Sequence, residues 1–142
     1  MVAIDTNLLV YAFEWSSPEH QRARDAVYGV AEAGRGFGVA LAVAAEFWNV
    51  VTRPLGTRPR ASAAEACLFL EKLEELGAQI WSPLPGFGPR LIRSARAEGI
   101  AGRRIFDWQI ALTAIEHGAT ELWTHDHSFR APAGLRVIDP LG

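Results

Sequence analysis

The chain has 142 residues, of which 49% are hydrophobic, and its formal net charge is −2. A chain of this length can bury enough apolar surface to fold as one domain, and its only cysteine, Cys67, excludes an internal disulfide. No stretch reaches the roughly 18 continuous apolar residues of a membrane span, and no basic region precedes an apolar N-terminal segment. We therefore expect a single cytoplasmic domain over residues 1–142, with no membrane association.

The negative net charge excludes a simple basic nucleic-acid-binding protein, but it leaves open an enzyme whose acidic site is offset by local basic loops. Arginine supplies 13 of the 14 basic residues, and Lys72 is the only lysine. Because a planar guanidinium binds two oxygens at once, any phosphate contact is expected to come from arginine. A base-rich coding sequence also favours arginine, and this explanation stays open.

The N-terminal half alternates between short apolar runs and helical patterns. Ser17 and Pro18 are residue types preferred at the N-cap and at the first helical position, so they predict a helix start. The apolar run over 37–43 predicts a strand that leads directly into a helix. The predicted elements of this half are a strand over 2–4, a helix over 7–14, a helix from Pro18, a strand over 37–43 and a helix over 44–53.

The C-terminal half continues the alternation. Ser62 and Glu65 have the spacing of a capping box, which predicts an amphipathic helix that runs to Gly77. The remaining predicted elements are a strand over 79–82, helices over 87–98 and 107–117, and strands over 121–124 and 135–138. Strands that alternate with helices predict an α/β fold with a mostly parallel five-stranded sheet covered on both faces.

Four acidic residues lie next to predicted strand ends or helix starts. Asp5 ends the first strand, Glu46 lies in the first turns of the helix after the second strand, Asp107 begins the helix before the fourth strand, and Asp126 follows that strand. In a parallel α/β sheet the strand ends and the helix starts share one edge, which is where ligands bind. The sequence therefore predicts that the four carboxylates gather at this edge.

Three of these acids also have a simpler structural explanation. Asp5 with Asn7 has the residue types of an Asx turn, Asp107 is a suitable N-cap, and Asp126 is a suitable turn residue. Taken singly, each of these explanations is adequate. Only the shared edge favours a functional role.

Glu46 interrupts an apolar helix, where an acid is costly unless it is paired or coordinated. An ion pair with Arg53, two turns away on the same helix face, is the structural alternative. If the four carboxylates instead share a site, their mutual repulsion requires a positive group there. Oxygen ligands favour Mg²⁺ or Mn²⁺ over zinc, and such ions promote phosphodiester hydrolysis. The sequence therefore predicts metal-assisted phosphodiester hydrolysis.

Three segments carry a recognisable pattern, in order and spacing: AIDTNLLVYA, AAEFWNVVTRP and IFDWQIALTAIEHGATELWTHDHSF. The chain resembles the PIN-domain ribonucleases, and most closely the VapC-type toxins of type II toxin–antitoxin systems. The resemblance extends over residues 2–138. It implies a single PIN domain with the fold of a three-layer α/β/α sandwich around a parallel sheet, in agreement with the α/β fold predicted from the alternation.

The resemblance also implies a function and its residues. It makes Asp5, Glu46 and Asp107 ligands of a catalytic Mg²⁺ (or Mn²⁺), and it makes Asp126 a further catalytic acid of the pocket that helps to hold a second ion or the attacking water. Asn7 and Thr124 become supports that orient the carboxylates. It implies an endoribonuclease toxin that cleaves tRNA or rRNA and so inhibits translation. A VapB-type antitoxin is the implied partner and supplies the DNA binding, while the toxin itself is a homodimer without sequence-specific DNA contacts.

Two groups of arginines flank the predicted site. Arg53, Arg58 and Arg60 follow the helix of Glu46, and Arg103 with Arg104 come shortly before Asp107. We take Arg53, Arg103 and Arg104 as candidate contacts to RNA phosphates. Solvated loop charge is the alternative for each of them.

Other aromatic residues invite functional interpretations of lower specificity. Trp15 and Trp108 are candidates for base stacking or for an antitoxin contact, although most tryptophans are core or interface residues. His125 and His127 flank Asp126 and suggest a metal site. Because no cysteine lies nearby and hard oxygen ligands dominate, we interpret both histidines as incidental or as RNA contacts.

Competing enzyme classes fit the sequence less well. A haloacid-type phosphatase with Asp5 as nucleophile requires an aspartate two residues later, where Asn7 stands. A dinucleotide-binding loop must link a strand to a helix, whereas the glycine-rich run over 34–38 precedes a strand. Two alternatives stay open: a PIN-like binding scaffold whose acids are held by arginines, and an RNA-processing nuclease without a toxin role.

Overall fold

A computed structural model of the chain describes residues 1–54, 56 and 60–142. Arg58, one of the predicted basic loop residues, lies outside these residues. Within them, helices and strands alternate as predicted. The elements are β1 (Val2–Ile4), α1 (Thr6–Phe13), α2 (His20–Glu32), β2 (Phe37–Ala40), α3 (Leu41–Thr52), α4 (Ala63–Glu75), β3 (Ala78–Trp81), α5 (Phe87–Ala97), α6 (Arg104–Glu116), β4 (Glu121–Trp123) and β5 (Arg136–Ile138).

The five strands form one parallel sheet in the order β3-β2-β1-β4-β5. The chain leaves β1 toward β2 and β3 on one side, and it later returns to place β4 and β5 on the other side. Helix α1 packs against α2 and α3, and α5 packs against α6. The result is the predicted three-layer α/β/α sandwich, with the switch in strand order beside β1, where such sheets bind ligands. No helix of the described residues has the length and apolar character needed to cross a membrane.

The core forms where continuous apolar runs of the central strands meet the inner faces of the helices. All residues of β1 and β2 are buried, as expected for strands that are covered on both faces. Phe47 of α3 stacks on Phe69 of α4, and both meet Phe13 edge-on. Gly38 in β2 is required by packing, because a Cβ atom there would lie 2.6 Å from the ring of Trp81.

The predicted start of α2 and the predicted end of β2 are wrong, for local reasons. Ser17 does not cap α2, because its carbonyl accepts from the backbone N–H of His20 and its hydroxyl donates to Glu19, which forms a turn ahead of the helix. The second strand ends at Ala40 rather than at residue 43. An unbroken apolar run does not distinguish a buried strand from a helix, and from Leu41 onward the buried positions follow helical spacing.

One carboxylate forms several polar contacts at the end of the sheet where the strands begin. Glu121, at the start of β4, is 8% exposed and forms ion pairs with Arg35 and Arg136. It also accepts a hydrogen bond of 3.0 Å from the indole N–H of Trp123. The hydrogen bond from Arg136, followed by that from Trp123, lowers the pKa of Glu121 to about 2. The folded state therefore favours the ionised form.

We expect Glu121→Gln to lower the free energy of unfolding by about 1 kcal/mol at pH 7, because charge-assisted hydrogen bonds are replaced by weaker neutral ones. The folded pKa of Glu121 lies below its ordinary value of 4.5, so its contribution is complete above that pH and is lost as the pH falls toward 2. Urea unfolding at pH 7 and pH 3.5 measures both effects. The control is Glu75→Gln, because Glu75 is exposed and pairs only weakly with Lys72 at 3.7 Å. An equal loss in both variants would contradict the prediction.

Candidate active site

The four predicted acids line one open pocket of about 870 Å³ at the carboxyl ends of the strands. Asp5 follows β1, Asp126 follows β4, Glu46 projects from α3 and Asp107 from the first turn of α6. The pocket lies at the switch in strand order, as the edge argument predicts. The structure thus brings together all four carboxylates, although they are up to 121 positions apart in the sequence.

Asp5 is the most enclosed of these acids, with 7% of its surface exposed. Its Oδ1 accepts from the backbone N–H of Thr6 at 2.8 Å, and its Oδ2 accepts from the hydroxyl of Thr124 at 2.7 Å. The amide of Asn7 donates to the same Oδ2 at 3.3 Å. Asp5 is also the N-cap of α1, so the same side chain caps a helix and lines the pocket.

Thr124 and Asn7 connect the two strand ends. Thr124 is fully buried, and its hydroxyl donates to Asp5 while it accepts from Asn7 Nδ2 at 2.9 Å and from the backbone N–H of Asp126 at 3.0 Å. A hydroxyl has one proton and two lone pairs, so these three bonds use its full capacity. Asn7 Oδ1 accepts from the backbone N–H of His125 at 3.0 Å. The network fixes the turn after β4 to the start of α1.

Glu46 lies on an exposed face of α3, so the argument that it is an acid in an apolar environment is wrong. Its Oε2 accepts from the hydroxyl of Thr6 at 3.0 Å. The described ion pairs do not include one between Glu46 and Arg53, which lies just past the last turn of α3. Thr6 is the residue that the sequence interpretation missed, because it bonds Asp5 through its backbone and Glu46 through its side chain.

Helix α6 begins earlier than predicted, and Asp107 is its fourth residue rather than its N-cap. Residue Arg103 occupies the cap position, and both Arg103 and Arg104 line the pocket beside Asp107. Phe106 also lines the pocket and is 62% exposed. The early start therefore adds one helical turn, with two cations and an aromatic ring, to the rim of the acidic site.

Other predicted contacts lie elsewhere. Trp108 is 4% exposed and its indole N–H donates to Ser94, so it is not available for base stacking. Trp15 is 84% exposed but is not among the described residues that line the acidic pocket. Arg53 is also not among them. Its contact with RNA stays a prediction.

The acids differ in how strongly the fold favours their ionised forms. The pKa of Asp5 is raised to about 6, chiefly by burial and to a smaller extent by the charges of Asp107 and Glu46, while the hydrogen bonds from Thr124 and Thr6 oppose this rise. Burial, then Asp126 and Glu46, also raises the pKa of Asp107. In contrast, hydrogen bonds from the hydroxyl and backbone N–H of Ser128 lower the pKa of Asp126. A cation in the pocket would relieve the repulsion at Asp5 and Asp107.

The donor set fits a hard divalent ion. All four acids offer oxygen, and within the described part of the chain none of them forms an ion pair with an arginine or lysine. Within that part, no three of the four bring their ligand atoms within 4.8 Å of one another. The oxygen donors suit Mg²⁺ or Mn²⁺, and Mg²⁺ commonly uses one or two carboxylates and completes its octahedron with water or phosphate oxygens.

Comparison with known proteins identifies the fold and its family. The PIN domain family model matches residues 2–135. The chain belongs to the PIN-domain family. Ribonuclease VapC24 of Mycobacterium tuberculosis is 34% identical over 146 residues, which span 99% of this chain and 97% of that protein. This similarity places the chain with the VapC ribonucleases, as the DTN and FDW segments predict.

Solved VapC structures share the PIN fold at lower identity. The sarcin–ricin loop cleaving toxin VapC20 of Mycobacterium tuberculosis superposes with a TM-score of 0.66 at 11% identity, over 91% of this chain and 92% of that one. VapBC2 of Rickettsia felis, bound to a DNA fragment from its promoter, gives 0.65 at 19% identity, over 97% and 98%. At these identities the likeness concerns the fold alone, so the PIN-domain pocket of this chain must be interpreted from its own residues.

We expect the free energy of unfolding of the metal-free PIN domain to fall as the pH rises from 4 to 7.5, and we expect Asp5→Asn to reduce this fall by about 1–2 kcal/mol. The folded pKa of Asp5, about 6, exceeds its ordinary value of 3.8, so wild-type stability falls as the pH rises through this interval. Asparagine caps a helix about as well as aspartate and carries no charge. Urea unfolding of both proteins in EDTA at pH 4 and pH 7.5 measures the effect. An equal fall in the free energy of unfolding in the wild type and in Asp5→Asn would contradict the prediction.

Proposed function

We propose that this chain is a Mg²⁺- or Mn²⁺-dependent endoribonuclease that acts as the toxin of a toxin–antitoxin pair. The observation that carries the proposal is the convergence of Asp5, Glu46, Asp107 and Asp126 on one open pocket with Arg103 and Arg104 at its rim. Acids and guanidinium groups side by side suit a metal-assisted reaction on a phosphodiester. Membership of the VapC ribonucleases supports RNA as the substrate.

In the proposed mechanism the carboxylates bind the metal ion, and two threonines orient the carboxylates. The carboxylates would hold a divalent ion, which would supply Lewis acidity for the phosphate and for an attacking water. Thr124 and Thr6 each hold one oxygen of Asp5, so the carboxylate does not rotate away from the pocket. Thr6 holds Glu46 at the same time. In our proposal these two threonines align the acids before RNA arrives, and pre-alignment avoids reorganisation during the reaction.

The rim supplies the contacts to RNA. Arg103 and Arg104 offer planar donors for phosphate oxygens on either side of the scissile bond. Phe106 presents an exposed ring on which an unstacked base can lie, as single-stranded RNA is commonly recognised. We propose that the substrate is a single-stranded segment or loop of tRNA or rRNA. The sarcin–ricin loop cleaving activity of VapC20 supports this class of target.

The proposed partner is a VapB-type antitoxin that blocks the pocket. The crystal structure of VapBC2 from Rickettsia felis is bound to a DNA fragment from its promoter, which supports a similar assembly here. We propose that this chain acts as a single PIN domain, forms a homodimer and leaves sequence-specific DNA binding to the antitoxin. An RNA-processing nuclease without toxicity is the second function that the pocket supports equally well.

Cleavage of structured RNA tests the catalytic assignment. We expect cleavage with Mg²⁺ or Mn²⁺, none in EDTA, and a loss of at least about 100-fold in Asp5→Asn and Asp107→Asn, because a neutral amide binds a hard divalent ion more weakly than a carboxylate does. The matched control is Asp25→Asn on α2, whose carboxylate accepts from Gln21 on the surface and should leave the rate unchanged. Cleavage that persists in EDTA or in both pocket variants would refute the mechanism.

Toxicity separates the two functions. Production of the wild-type chain in a bacterial host should arrest growth and protein synthesis, whereas Asp5→Asn should not. RNA cleavage in vitro without growth arrest would favour the processing nuclease and reject the toxin role.

The rim residues should control RNA binding rather than chemistry. In the inactive Asp5→Asn background, we expect Arg103→Ala and Arg104→Ala each to reduce the slope of log affinity against log salt by about 0.7, as for one lost phosphate contact on a single strand. Phe106→Ala should weaken binding by about 10-fold without changing the slope, because a lost stacking contact costs about 1–3 kcal/mol. Fluorescence anisotropy with a labelled RNA measures both. Arg93→Ala, exposed on α5, is the control, and an equal effect there would contradict the assignment.

A further inference from the structure

His125, His127 and Asp139 form a cluster outside the four-acid pocket. The Nδ1 atom of His125 lies 2.9 Å from Oδ2 of Asp139, and Nε2 of His127 lies 2.8 Å from the same oxygen. In the described part of the chain, this is the one group of three or more His, Cys, Asp or Glu side chains whose ligand atoms all lie within 4.8 Å of one another. The sequence pattern shows only the two histidines, because Asp139 lies after β5 and reaches them through the tertiary fold.

We propose that His125, His127 and Asp139 bind one borderline divalent ion, with Zn²⁺ as the reference ion, at a site separate from the acidic pocket. Two imidazole nitrogens and one carboxylate oxygen are ligands that suit zinc, nickel or copper. Magnesium requires hard oxygen donors and competes poorly for such a set. The proposal uses none of the four pocket acids as a ligand, so it stands independently of RNA cleavage.

The geometry of the cluster is close to what an ion requires. Zinc bonds of about 2.0–2.2 Å in a tetrahedron separate neighbouring ligand atoms by about 3.3 Å. The present nitrogen–oxygen distances of 2.9 Å and 2.8 Å must therefore open by about half an ångström. The side chain of His127 is 77% exposed and is free to make this adjustment. Three protein ligands leave a fourth position for water.

The two less exposed ligands are already held in place. Oδ1 of Asp139 accepts from the backbone N–H of Leu141 at 2.9 Å, which leaves Oδ2 facing the histidines. The ring of His125 meets Tyr11 edge-on, and its backbone N–H donates to Asn7. Ligands that are fixed before binding lose less conformational entropy, so such support raises the affinity for a metal.

An ion at this cluster would connect two segments near the acidic pocket. His125 and His127 lie on either side of Asp126 in the turn after β4, and Asp139 belongs to the segment after β5. Without an ion, these segments are joined by hydrogen bonds to a single carboxylate oxygen. Metal bonds would replace them with a stronger link, so the fold should become more stable when the ion binds.

Zinc titration of the full chain, without a histidine tag and in millimolar Mg²⁺, tests the proposal. We expect one equivalent to bind by calorimetry and the melting temperature to rise by about 5–10 °C at 100 times the dissociation constant. X-ray absorption of the zinc complex should show imidazole scattering. His127→Gln should weaken zinc binding at least about 10-fold, and it should fold because the side chain is exposed. The matched control is His117→Gln, which removes a histidine that stacks on Trp81 elsewhere.

Any of several results would overturn the proposal. One is zinc binding by the wild type that is no tighter than zinc binding by His127→Gln. Another is an equal loss of zinc affinity in His117→Gln, and a third is an X-ray absorption spectrum that shows oxygen ligands only. Asp5→Asn should bind zinc like the wild type, and a loss there would assign the ion to the acidic pocket instead. Because the readouts are binding, melting and spectroscopy, a failure here leaves the proposed RNA cleavage untouched, and the reverse also holds.

Discussion

The parallel pairing of β1 with β4 is the constraint on which the rest of the site depends. Their register pairs Ile4 with Trp123, so the next residues, Asp5 and Thr124, emerge side by side at the switch in strand order. There the buried hydroxyl of Thr124 binds Asp5 and accepts from Asn7 and from the backbone of the following turn. A shift of one residue would turn these side chains to opposite faces of the sheet and dismantle the network.

This arrangement costs stability at neutral pH. Burial raises the pKa of Asp5 to about 6, and Asp107 and Glu46 add repulsion, so the charged pocket opposes folding at neutral pH. The apolar core and the ion pairs around Glu121 at the far edge of the sheet compensate for this cost. A cation or an arginine of a partner protein would bind favourably in the pocket, because its positive charge would reduce the repulsion among the carboxylates.

Local patterns predicted much of the fold and most of the site. The capping box of α4 is present as predicted, with Ser62 and Glu65 bonding each other's backbone. The predicted starts of α3 and α6 were wrong. The start of α3 lies inside an unbroken apolar run, and the start of α6 has no side-chain cap, so neither has a local boundary signal. The early start of α6 is what brings Phe106 to the pocket.

The sequence by itself determined the alternation of strands and helices and the placement of four acids at one edge, because both follow from local periodicity and from the direction of parallel strands. Only the tertiary structure decided which side chains meet. The hydrogen bond from Thr6 to Glu46 joins residues 40 positions apart in the sequence, and Asp139 contacts His125 across 14 positions. Such contacts depend on loop paths and strand register, which residue spacing along the chain does not encode.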